Sequence, residues 1–143
     1  MHIDADTVAS IDLASATKEV RLEKGVFASA LRKLDRMASG DGESFKLVTQ
    51  TAVAGVRGTI FFVKAEDEGS TYVCTCNGEL HVEDPDGGNE RDVAAAHHEA
   101  YWYRSSDEGV GSERTEFLFH TDEMMERGAA LIGETIDWAT VGP

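Results

Sequence analysis

Two cysteines and two prolines in 143 residues leave no room for a disulfide scaffold or a proline-rich linker. No window approaches the roughly 18 uncharged apolar residues of a membrane span, and MHIDADTV at the N-terminus has neither the basic region nor the apolar core of a signal peptide. Positive charge is also scarce. Thirteen Lys and Arg stand against 27 Asp and Glu, a formal net charge of −14 that repels phosphate backbones and anionic lipid. Nucleic acid is therefore excluded as a partner, and no membrane insertion of this segment is expected. Missing too are a nucleophile elbow, a Walker loop, an H-E-x-x-H helix, a dinucleotide fingerprint and the c-type haem signature C-x-x-C-H.

What remains is the composition of a globular protein, 41% hydrophobic, with a length that suits a single domain over residues 1–143. The acidic residues gather in turns such as Glu66-Asp67-Glu68, Glu83-Asp84-Pro85-Asp86 and Asp107-Glu108, as on a solvated surface. DPDGGNE at 84–90 lacks the spacing of a calcium loop.

Along the chain, residues 3–22 read as one or two short strands around a polar SATK turn. GVFASALRKL, from Gly25, fits a strand or a short helix equally well, and MASGDGES (37–44) reads as a loop. Phe45 to Thr51 and Gly58 to Lys64 are rich in β-formers, with Ile60, Phe61, Phe62 and Val63 suited to a buried strand. AEDEGS (65–70) is a turn, TYVCTC (71–76) a returning strand, and Asn77-Gly78 the strongest short hairpin signal, followed by ELHV. A turn at DPDGGN (84–89) and one or two strands over Arg91 to Tyr103 follow, then SSDEGVGS (105–112) and a strand TEFLFH (115–120). Thr121-Asp122-Glu123 starts a helix expected to run from about 122 to 137, lying as a lid on the sheet with Trp138 as its anchor. The fold class is all-β, repeated short strands in a β-helical or sandwich-like arrangement with one C-terminal helix.

The run FKLVTQTAVAGVRGTIFFV, followed by a turn and a strand ending in NGELHV, resembles the FecR domain. The matching positions are Thr49, Ala52, Ala54, Gly55, Val56, Arg57, Gly58, Thr59 and then Gly78, Glu79 and Val82. The resemblance is strongest over 20–103. It implies an all-β module of the periplasm or cell envelope that senses or relays a signal, without catalysis, through an envelope protein partner. Arg57, Gly58 and Thr59 are its fold motif, with Arg57 expected to hydrogen-bond or ion-pair internally. In better-known members the domain lies beyond a membrane span and signals to a cytoplasmic sigma-factor partner. No anti-sigma segment or span is legible in these residues, so that relay role is not carried over.

Neither Cys74-Thr75-Cys76 nor His97-His98 belongs to the FecR pattern. On a strand, residues i and i+2 share a face, so the two thiols stand side by side. Three readings of them compete. They are a buried reduced pair; a strained in-strand disulfide acting as a redox switch; or two soft ligands of a metal completed by imidazoles. In the third reading Cys74, Cys76, His97 and His98 hold zinc or iron, or a [2Fe–2S] cluster with mixed ligation, and His120 is an additional candidate. Adjacent residues on a strand face opposite ways, so the histidine pair needs a bend to act together. His81 faces away unless the chain turns at Asn77-Gly78. A Cys76–His97 nucleophile has no orienting third group.

Overall fold

The structure, a computed structural model, describes residues 2–3, 7–12, 18–30, 45–66, 69–131, 133 and 135–140. Among them are nine strands and one helix: β1 (His2–Ile3), β2 (Val8–Asp12), β3 (Lys18–Ala30), β4 (Phe45–Val48), β5 (Val53–Glu66), β6 (Ser70–Glu83), β7 (Arg91–Ala95), β8 (Glu99–Ser106), β9 (Gly109–Thr115) and α1 (Asp122–Ala130). The fold is all-β with a short C-terminal helix. Residues 31–44, including the loop expected at 37–44, and most of the SATK turn lie outside the described residues; Gly25 to Ala30 is strand.

All nine strands join one sheet, in which β3 and β4 run parallel and every other pairing is antiparallel. β3 pairs directly with β5 over residues 25–30 and again, through β4, over 18–21, so the sheet curls onto itself there. β5 and β6 form the central ribbon, paired from Val53↔Glu83 to Glu66↔Ser70. Beyond β6 the sheet divides. Residues 70–75 of β6 pair with β8, whereas 78–82 pair with β7.

Side chains fill both faces of this ribbon, which is why the sequence runs apolar without alternation. One core contains Val20, Leu22, Leu47, Ala54, Val56, Phe61, Val63, Val73, Leu80, Val82 and Tyr103. The other contains Val26, Ile60, Phe62, Tyr72, Cys74, Cys76, Ala100 and Trp102, and is covered by Met125 and Ala129 of α1 and by Ile136. Each long strand changes sides partway. In β5 the first core takes Ala54 and Val56 but then Phe61 and Val63, because the register slips between Arg57 and Ile60.

The matching change in β6 falls at Gly78. The Asn77-Gly78 pair, expected to be a hairpin, lies inside one continuous strand instead. Gly78 has φ 130°, and a Cβ there would lie 3.1 Å from Thr59. Thr59 bonds both backbone polar groups of Glu79, its hydroxyl donating to the Glu79 carbonyl and accepting from the Glu79 N–H at 3.2 Å. Thr59, Gly78 and Glu79 thus fix the side-switch together. The side chain of Arg57 lies outside the described residues, and with it the expected pairing of Arg57.

The C-terminal part departs from expectation in three places. Ser106 and Gly109 close a hairpin, so much of the expected loop at 105–112 belongs to β8 and β9. Of the strand expected at TEFLFH (115–120), only Thr115 is strand, as the end of β9; residues 116–121 cross back over the second core, where the Tyr72 hydroxyl accepts from Leu118 N–H at 2.8 Å. Helix α1 starts as expected, with the Thr121 hydroxyl accepting from Met124 N–H at 3.2 Å and Asp122 and Glu123 in its first turn. It ends at Ala130 rather than near 137, because Gly133 turns left-handed (φ 74°) and its N–H caps the Ala130 carbonyl.

Candidate metal centre

The division of the sheet beyond β6 positions the site. Between the end of β7 and the start of β8, residues 96–98 loop across Cys76 and Asn77, and His98 N–H donates to the Cys76 carbonyl at 3.0 Å. Asn77, fully buried, holds the same loop from below, its amide nitrogen contacting the carbonyls of Ala96 (2.7 Å), Asp137 (2.9 Å) and Thr140 (2.9 Å). The bend that the histidine pair requires is thus present, with His98 at φ 50°.

Cys74 and Cys76 lie on one face of β6, both fully buried and both free thiols, with sulfurs 3.6 Å apart. His98 brings Nδ1 to 3.4 Å from the Cys74 sulfur, and His120 brings Nε2 to 3.3 Å from the Cys76 sulfur. The four ligand atoms all lie within 4.8 Å of one another. Each imidazole is oriented through its other nitrogen: His120 Nδ1 donates to the Leu118 carbonyl at 2.7 Å, and His98 Nε2 to Asp122 Oδ1 at 2.5 Å. With those nitrogens so engaged, the second nitrogen of each ring faces a sulfur, the arrangement that metal-binding histidines adopt.

His120, an additional candidate on sequence grounds, is a full member of this quartet, and His97 stands outside it. His97 Nε2 bonds Asp122 Oδ2 at 2.8 Å, so one carboxylate holds both rings of the pair. Asp122 is the residue that sequence reasoning overlooked; its position two residues after His120, at the start of a helix, was the available signal. His81 lies on the far side of Gly78, bonded to Asp92 at 2.6 Å and near Glu90 and Glu83, an exposed acidic surround for an imidazolium.

Aromatic rings close the quartet from water. Phe117 stacks on His98 with centroids 3.8 Å apart, Phe62 on His120 at 4.2 Å, and Trp138 packs on His98 at 4.9 Å. Backbone strain gathers here as well. Only three non-glycine residues in the description have positive φ, and two of them are His98 and Phe119, the residue preceding His120. Such conformations cost on the order of 1–3 kcal/mol each and persist where surrounding structure requires them.

Burial and close contact shift the two thiols in opposite directions. Burial alone raises the Cys74 thiol, but hydrogen bonds from Cys76, His120 and His98 outweigh it and hold Cys74 well below the ordinary thiol range. Cys76 is pushed well above that range, by burial and then by the neighbouring Cys74. Burial lowers His98, yet its bonds to Cys74 and Asp122 prevail and raise it. Asp122 is lowered, its burial outweighed by the two histidines. Adjacent buried sulfurs resist carrying charge together, which is why the two shifts are opposite.

Two solved structures described as a "putative anti-sigma factor" from Parabacteroides distasonis are similar to this chain. One matches at TM-score 0.57 and 19% identity over 92% of this chain and 55% of its own length, the other at 0.50 and 17% over 85% and 49%. The chain therefore spans about half the length of those proteins, and the likeness is one of fold. No curated protein matches the chain. The family described as FecR protein matches residues 1–80, which takes in both cysteines and the Thr59–Gly78–Glu79 clamp but stops short of His98, His120 and Asp122. With more than half its length matched, the chain belongs to the FecR family.

Proposed function

We propose that this chain is a non-catalytic signalling module of the cell envelope, in which a FecR-type β-fold holds one metal ion through Cys74, Cys76, His98 and His120. The regulatory character of FecR and anti-sigma relatives supports the signalling half and points to a protein partner. Among the described residues, no helix is long and apolar enough to cross a membrane.

The metal half rests on one observation, the edge lengths of the quartet. Bonds of about 2.3 Å to sulfur and about 2.0–2.1 Å to nitrogen give a tetrahedron with a sulfur–sulfur edge of about 3.8 Å and sulfur–nitrogen edges of about 3.6 Å. The corresponding distances are 3.6, 3.4 and 3.3 Å. Three of the six edges at near-tetrahedral length, with all four ligand atoms within 4.8 Å of one another, suit a single zinc-like ion in a closed, structural site. Iron in the same S2N2 set is the second choice. A [2Fe–2S] centre divides its ligands between two irons and is served less well by atoms gathered within 4.8 Å.

Metal analysis of anaerobically purified protein, with cobalt(II) substitution, tests this reading. One ion per chain and the intense visible spectrum of tetrahedral thiolate-bound cobalt are expected. Absence of both after reconstitution rejects the metal.

A further inference from the structure

His120, Thr121 and Asp122 give the quartet and the helix a common attachment. His120 faces Cys76 (3.3 Å), Thr121 caps α1, and Asp122 opens the helix while bonding His98 and His97. The ring orientation of His98, which fixes the nitrogen it turns to Cys74, thus depends on a helix residue. In turn, α1 covers the second core through Met125 and Ala129.

The rest of the C-terminal layer is fastened differently. Asn77 grips the carbonyls of Asp137 and Thr140, contacts that involve no quartet residue. Trp138 joins the two fastenings, its indole donating to Glu126 of α1 at 2.8 Å while the ring packs on His98.

We propose that Asp122 is a positioning residue that makes the metal centre a latch: occupancy of the quartet by a zinc-like cation docks residues 116–130 onto the sheet, so that metal supply regulates whether the second core is covered. This rests on the metal reading above. Binding that requires His98 and His120 to converge on the cysteines stabilises only the conformation with the covering layer in place, so ion and helix are linked thermodynamically. Metal loss frees the helix first, while residues 137–140 keep their hold on Asn77. Asp122 carries the coupling because it is the one α1 side chain bonded to a quartet imidazole.

Hydrogen exchange across 116–140 of the full chain, with and without zinc, tests the latch alongside zinc affinity by chelator competition and the cobalt(II) spectrum. Wild type, Asp122→Asn and His97→Ala are compared. Zinc is expected to slow exchange in 122–130 by about tenfold or more and in 137–140 far less. Asp122→Asn, which keeps the side-chain volume, is expected to retain the tetrahedral cobalt spectrum, bind zinc about 10- to 100-fold more weakly and lose most of the zinc-dependent helix protection at saturation. His97→Ala should keep near-wild-type affinity. A wild type without a tetrahedral cobalt spectrum overturns the metal reading and the latch together. A tetrahedral spectrum with helix exchange indifferent to zinc overturns the latch alone, and this comparison needs no variant. Wild-type zinc affinity in Asp122→Asn overturns the role given to Asp122.

Discussion

The sulfurs of Cys74 and Cys76 lie 3.6 Å apart on one face of β6, each with its own imidazole, His98 for the first and His120 for the second. Strand geometry supplies the first half of this relationship and the chain after β7 the second. If a metal joins the four, removing either sulfur should cost both binding and stability. Cys76→Ser is expected to bind no stoichiometric zinc and to melt at the temperature of metal-free wild type. Zinc at about 1,000 times its Kd should stabilise only the wild type, by about 4 kcal/mol. Melting curves with and without zinc check this, and an equal response of both proteins contradicts it.

A second expectation concerns oxidation. Residues i and i+2 of an extended strand lie about 6.5–7 Å apart at Cα, at or beyond the usual reach of a disulfide. Cys74 pairs with Phe62 on one side and Ala100 on the other, whereas Cys76 falls at a register shift between Ile60 and Phe61, and a bound ion would hold both sulfurs. Mild oxidant should therefore leave two titratable thiols in the folded, metal-loaded protein. Thiol counting in denaturant, with intact mass to detect loss of two hydrogens, decides it; a readily formed internal disulfide would favour a redox switch.

Much of the scaffold is legible in the residues themselves. The apolar run from Ile60 to Val63 is buried on both faces, and the parity of Cys74 and Cys76 places both thiols together. Asn77-Gly78 misleads because the hairpin signal describes a local preference. Here the Asn77 amide is committed to three carbonyls and Gly78 serves a change of face within a strand. TEFLFH misleads for a related reason. Its aromatic residues have β-propensity, but Phe117 is spent on His98 and Phe119 on Tyr72, while Leu118 N–H bonds a tyrosine hydroxyl rather than a strand. His120 and Asp122 enter the site through tertiary contacts some 44 and 24 residues away in sequence, which no spacing rule encodes.

Remote from the quartet, three threonines form a buried polar knot. Thr71 Oγ1 lies 2.7 Å from Thr49 Oγ1 and 2.8 Å from Thr51 Oγ1, and Thr51 donates to the Tyr103 carbonyl at 2.9 Å. Thr71→Val removes the shared member while preserving shape. A loss of about 1–2 kcal/mol in urea unfolding is expected, with zinc affinity unchanged. A neutral result would show that the knot does not stabilise the fold.

The His81 cluster predicts a pH dependence of opposite location. The hydrogen bond to Asp92, aided by Glu90 and Glu83, raises His81 above the usual histidine value. A raised histidine stabilises the fold fully below its unfolded value, near about 6.5, and that contribution is lost as pH rises through the folded value. His81→Gln should therefore melt below wild type at about pH 5.5 and approach it at about pH 9. The side chain is 41% exposed, so the difference should be small and should shrink with salt. A gap that widens with pH contradicts the assignment.

The central claim is that Cys74, Cys76, His98 and His120 hold one ion, and the direct measurement is elemental analysis with cobalt(II) titration of protein purified without air. The account predicts one zinc-like ion per chain and a tetrahedral cobalt spectrum that saturates at one equivalent. Protein that carries no stoichiometric zinc, iron or copper and gives only the faint spectrum of solvated cobalt, even after reconstitution, contradicts it.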